Sequence, residues 1–156
     1  MEQNEQLVKV SKWVKPRLNK LELFLVPVFI LFYSLTEYIS SAYEIIIVAP
    51  LGILGIFYFL SAFYPNEDAK FTELAKVISK VSAISLSVTA IGIIYTIMHL
   101  PGSKSMLLVT IPSVAIAIIL FIYFKKSEPS IKLFDNRMLL RLAISLLASI
   151  FLVFIV

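Results

Sequence analysis

The chain has 156 residues, 60% of them apolar and 15% charged, with a net charge of +4 at neutral pH and a mean hydropathy of +0.94. A soluble domain averages about 45–50% apolar and about 25% charged residues, so a water-soluble globule is excluded. With no cysteine and the single histidine His99, the chain also lacks the residues for disulfides, thiolate metal sites or a multi-histidine metal site.

Residues 1–20 carry Lys9, Lys12, Lys15, Arg17 and Lys20 among Leu7, Val10, Val14, Leu18 and Leu21, which recur every three or four positions beside Trp13. This pattern predicts a short interfacial helix broken near Pro16. Five apolar blocks follow, at 21–39, 45–64, 80–99, 106–124 and 138–156, of 19, 20, 20, 19 and 19 residues. Each comes close to the roughly 20 residues that a helix needs to cross about 30 Å of hydrocarbon. The first block spans a full bilayer and has no small-x-small cleavage pattern, so it reads as a retained span and not as a cleaved leader. In the connector after the second block, Asn66 of Pro65-Asn66 is an expected cap for a helix whose Phe71, Leu74, Ala75 and Ile78 share a face and which runs into the third span.

The predicted architecture is an all-α, five-helix polytopic membrane bundle, built from two tandem hairpins plus one extra helix. A shift of 62 residues lays the first hairpin on the second without a gap and pairs Val26 with Val88, Tyr33 with Tyr95, Ser41 with Ser103 and Pro50 with Pro112. Both hairpins have the same expected orientation, so these are parallel repeats and not inverted ones.

Twelve of the 14 Lys and Arg residues fall in the N-terminal segment and in the second and fourth connectors, while the first connector has none. Short basic loops stay on the cytoplasmic side. The N-terminus is therefore expected inside and the C-terminus outside. Arg141, one turn into the fifth block, is expected to snorkel to the headgroups. The positive charge then marks topology and anionic-lipid contact, and calls for no nucleic acid.

Within the third block, Ser82, Ser85, Thr89, Gly92, Thr96 and His99 recur at spacings of three and four, which puts them on one helical stripe. Gly52 and Gly55 of the second block, Thr110, Ser113 and Ala117 of the fourth, and Ser145 and Ser149 of the fifth are the expected partners for close packing. The alternative use of the stripe is a pathway for a small solute or ion. The central dozen residues of every block are uncharged, and Glu37, Glu44, His99 and Arg141 lie near the ends, so no proton-coupling carboxylate and no base for a serine nucleophile is expected at depth. Pro27 and Pro112 fall inside their blocks and are expected to kink them.

Between the third and fourth blocks the chain reads His99-Leu100-Pro101-Gly102-Ser103-Lys104-Ser105-Met106-Leu107. Pro101 and Gly102 suit the two central positions of a type II turn. His99 is expected to satisfy carbonyls at the helix end, with pH sensing as the other reading. This His-x-Pro-Gly turn, followed by Met106 and Leu107, resembles the transmembrane hairpin of the GldL family of gliding-motility and type nine secretion proteins over about 45 residues, 80–124. The resemblance implies a bacterial inner-membrane protein of similar hairpin fold, and the family's membrane carboxylate falls, by counting from the turn, near Val114.

The expected function is non-enzymatic: a structural or accessory subunit of a membrane assembly, or a homo-oligomer, acting through helix packing, without cofactor or metal. The alternative is a small-solute channel or transporter. Expected partners are the bilayer and other membrane subunits or copies of the chain itself.

Overall fold

The computed structural model describes residues 2–35, 44–64, 73–127 and 136–155. All elements among them are helical: α1 (Glu2–Val14), a 3-10 turn (Lys15–Arg17), α2 (Leu18–Ser34), α3 (Glu44–Ser61), α4 (Glu73–Ile97), α5 (Ser103–Ser127) and α6 (Asn136–Ile155). Pro16 sits in the 3-10 turn, where the sequence predicted a break. The expected cap at Pro65-Asn66, along with Phe71, Glu37 and Ser41, lies outside the described residues.

Three helices, α4, α5 and α6, are long and apolar enough to cross a membrane, while α3 is a shorter apolar helix over Ile45–Ser61. At about 1.5 Å per residue, the 25 residues of α4 and of α5 reach about 37 Å, the 20 of α6 about 30 Å, and the 17 of α2 about 25 Å. The two hairpins are thus unequal, although Pro50 and Pro112, paired by the expected repeat, both lie inside helices, α3 and α5.

Large apolar side chains cover the outer surface. Leu23 is 80% exposed, Ile45 69%, Leu147 67% and Phe154 86%. In water such a surface would be an aggregation liability; in hydrocarbon it needs no partner. An integral membrane protein is the reading these helices support.

Packing is organised around α4, which touches α3, α5 and α6. At one end of the bundle, Ala75 and Ile78 of α4 meet Phe121 of α5, flanked by Met138 and Leu139 of α6. Further along, Leu86, Val114, Ala117 and Leu142 form a second cluster from the same three helices. The start of α4, the end of α5 and the start of α6 therefore share one end, as an up-and-down arrangement requires. The expected N-terminal amphipathic face is partly used. Val14 and Leu18 are buried, Val10 is 44% exposed, and α1 packs on α3 of its own chain.

Candidate functional site

The stripe on α4 is an interface. Ser82, Ser85, Thr89, Gly92 and Thr96 are all buried. A Cβ added at Gly92 would meet Leu107 Cδ2 at 3.3 Å and Thr110 Oγ1 at 3.6 Å, so this glycine sets how closely α4 and α5 approach. The hydroxyls are spent on their own helices: Thr89 donates to Ser85 O at 2.8 Å, Thr96 to Gly92 O at 3.0 Å, Thr110 to Met106 O at 2.9 Å and Ser113 to Val109 O at 2.9 Å. Back-bonding of this kind satisfies the O–H and leaves the apolar side of the residue for packing. Only Ser85 reaches across, to Ser113 O at 3.5 Å, while the Oγ atoms of Ser82 and Ser149 are buried without a hydrogen-bond partner among the described residues.

The other predicted packing residues divide. Thr110 and Ala117 are fully buried, and Gly55 is pressed on α4, where a Cβ would meet Ala90 Cβ at 3.3 Å and Ser87 O at 3.8 Å. At Gly52 the nearest atom is Ile94 Cδ1 at 3.8 Å, ordinary contact. Ser145 is half-buried and lines a crevice. The α3-facing side of α4, Ala83, Ser87 and Ala90, is a second run of small buried residues that the single-stripe reading missed. Its spacing of four and three was there to be read.

His99 does not belong to the stripe. The helix ends at Ile97, and His99 follows it in the left-handed region with φ +49° and an exposed side chain. The Leu100 N–H donates to Tyr95 O at 2.9 Å and the His99 N–H to Thr96 O at 3.2 Å, the two bonds of a Schellman closure. The carbonyls at this helix end are thus met by backbone N–H groups, and the left-handed twist carries the imidazole off the α4 face. After it, the Ser103 N–H donates to Leu100 O at 3.3 Å with Gly102 at φ +86°, the geometry of a type II turn centred on Pro101-Gly102.

The principal polar cluster lies at the opposite end and involves Glu22, which the sequence reading passed over. Arg141 of α6 donates from Nε to Glu22 Oε2 of α2 at 2.9 Å and from Nη2 to the same oxygen at 2.5 Å, and Nη2 also reaches Asn19 Oδ1. The Tyr58 hydroxyl of α3 donates to Glu22 Oε1 at 2.6 Å. Both charged side chains keep only 17% exposure. Beyond the snorkelling expected of Arg141, the structure gives its guanidinium a specific partner: a carboxylate within reach on α2 holds it, because in a low-dielectric setting a paired charge is far cheaper than a lone one. Beside them stands Lys15, 5.7 Å from the centre of the Tyr64 ring. Burial first, and then the like charge of Arg141, holds the Lys15 amine below its ordinary pKa of 10.5.

The backbones of α2 and α6 are not among the closely packed helix pairs, so these side chains bridge a gap. The gap is a crevice of about 440 Å³ whose lining includes Tyr58 of α3 together with Glu22, Arg137 and Arg141. Among the described residues no group of three or more His, Cys, Asp or Glu is placed to hold a metal ion. Comparison with protein-family models, curated proteins and solved structures finds no match for this chain.

Proposed function

We propose that the chain is a five-span, non-enzymatic integral membrane protein that works by helix packing, as an accessory subunit of a membrane assembly or as a homo-oligomer. On this reading α2 and α3 cross the bilayer with α4, α5 and α6, the basic end faces the cytoplasm, and the His99–Lys104 turn faces outside. The observation that carries it is the fate of the α4 stripe hydroxyls: all four are enclosed between helices, and those of Thr89 and Thr96 donate to their own backbone, which favours a packing seam over a solute pathway. The likeness of the 80–124 hairpin to the GldL family is, on this proposal, one of fold. Val114, standing where that family has its carboxylate, is fully buried in the apolar cluster of α4, α5 and α6.

Replacing Thr89 and Gly92 together with leucine tests the function. The packing reading predicts loss of assembly or of folded protein, and a pathway predicts an intact assembly with altered flux in liposomes. An intact assembly with unchanged flux would refute both. The spans are tested separately, and the absence of cysteine makes this clean. In intact cells an impermeant maleimide is expected to label Lys104→Cys and to spare Lys20→Cys, and the reverse pattern would overturn the orientation.

A further inference from the structure

Glu22 and Arg141 meet near the starts of α2 and α6, and the crevice runs on from them between Leu23 and Val26 of α2 and Leu140 and Ile144 of α6, four exposed apolar side chains. The charges at its head are met. Glu22 accepts from Arg141 Nε and Nη2 and from the Tyr58 hydroxyl, and Arg137 also has a partner. What is left unspent there is neutral. Asn19 accepts from Arg141 through Oδ1, which leaves its amide N–H groups as donors. The Ser145 hydroxyl, one turn beyond Arg141, makes no hydrogen bond among the described residues. On α2, Pro27 has no N–H to return to the Leu23 carbonyl, so an acceptor stays open about one turn beyond Glu22. A crevice walled in hydrocarbon thus holds an open acceptor on one helix and open donors beside it, and each costs free energy until something bonds it. The volume of about 440 Å³ lies within the roughly 300–1,000 Å³ of sites that take small molecules.

We infer that this crevice is a site for one neutral diacylglycerol, whose free hydroxyl donates to Leu23 O while an ester carbonyl accepts from Ser145 and one acyl chain lies along Val26 and Ile144. The open groups call for a molecule that is apolar in body, uncharged, and equipped with both an O–H donor and a carbonyl acceptor. A phosphate headgroup would set an anion against the Glu22 carboxylate. A fatty alcohol has no carbonyl, and a quinone has no O–H. A second protein helix would match the apolar walls, but its backbone donors are spent within it, so Leu23 O would stay unmet. The inference rests on the five-span reading, in which α2 crosses the bilayer and the crevice opens to hydrocarbon.

The test is native mass spectrometry of the full chain in a neutral maltoside detergent, titrated with dioleoylglycerol, with its acetyl ester, which lacks the O–H, and with dioleoylphosphatidylglycerol. One dioleoylglycerol is expected per chain, bound about tenfold more tightly than either of the others. Pro27→Ala returns an N–H to the Leu23 carbonyl and is expected to erase the preference over the acetyl ester. Ser145→Ala is expected to weaken dioleoylglycerol about fivefold, and Ile144→Trp, which fills the slot, to abolish the adduct, with all three variants still folded by circular dichroism. Equal binding of dioleoylglycerol and its ester, or a preference indifferent to Pro27→Ala, would overturn the site. Tighter binding of phosphatidylglycerol would overturn the neutral occupant, and a lipid-free two-chain species lost in Ile144→Trp would give the crevice to a second copy. A negative lipid result with the maleimide pattern intact rejects the site alone; a reversed maleimide pattern rejects the topology beneath it.

Discussion

Replacing Arg141 with methionine keeps most of the side-chain volume but strands Glu22 between α2 and α6. Removing one partner of a fully buried ion pair costs about 3–5 kcal/mol, because the remaining charge stays desolvated. Here both side chains retain 17% exposure and Tyr58 still donates to Glu22 Oε1, so the expected loss is smaller, about 2–3 kcal/mol. Glu22→Gln is expected to cost about 2 kcal/mol, since it leaves the guanidinium beside Lys15 without its counter-charge. The double variant removes both charges and is expected to recover much of the sum, giving a coupling energy above about 1.5 kcal/mol. The assay is reversible unfolding in mixed micelles, carried through the full double-mutant cycle. Arg141→Lys sharpens it, because a snorkelling cation is replaceable by lysine whereas a two-pronged hold from Nε and Nη2 is not. Singles that add to within about 0.5 kcal/mol, with Arg141→Lys at wild-type stability, would refute the pairing.

Three further outcomes follow from the geometry. His99 occupies a left-handed position with an exposed imidazole, so His99→Gly is expected to stabilise by about 0.5–1 kcal/mol in the same unfolding assay, and destabilisation would mean that the side chain holds the turn. The Ser149 hydroxyl is buried without a partner among the described residues; Ser149→Ala is therefore expected to be neutral or stabilising by about 1 kcal/mol, and a clear loss of assembly would show that the hydroxyl is bonded in the assembled state. Because the folded chain holds the Lys15 pKa below its ordinary 10.5, the unfolded state binds more protons between the lowered value and 10.5. Stability should therefore rise with pH across that window, and Lys15→Met should remove the rise and stabilise the protein at neutral pH.

Helical class and membrane residence were legible because they depend on local quantities, block length and composition, that do not require knowing which helix meets which. The α4–α5 turn was legible for the same reason, since Pro101 and Gly102 dictate their own backbone angles. The stripe was legible as a spacing, yet its last member was misassigned: where a helix stops depends on the closure that follows it, and two backbone bonds to Leu100 and His99 turned the histidine away. The Ala83–Ser87–Ala90 face escaped because a helix enclosed on several sides has more than one stripe, and α4 touches three neighbours.

Glu22 was hidden for a different reason. At the edge of its block a carboxylate looks like an ordinary headgroup residue, and its partner is 119 positions away. The pairing nevertheless follows from parity. In an up-and-down bundle the first, third and fifth helices run the same way, so α2 and α6 start at the same end. Glu22 is the fifth residue of α2 and Arg141 the sixth of α6, which sets them at nearly equal depth. Two opposite charges at equal depth on helices separated by a gap will find each other, because hydrocarbon offers neither of them a cheaper neighbour. The pair thus ties α2 to α6 across the slot that their backbones leave open. Inserting one helical turn of four residues after Arg137 would carry Arg141 about 6 Å deeper and break the register while keeping composition and charge. If the cluster is what joins α2 to α6, a compensating four-residue insertion ahead of Glu22 restores the melting transition; if it is not, the second insertion only adds damage.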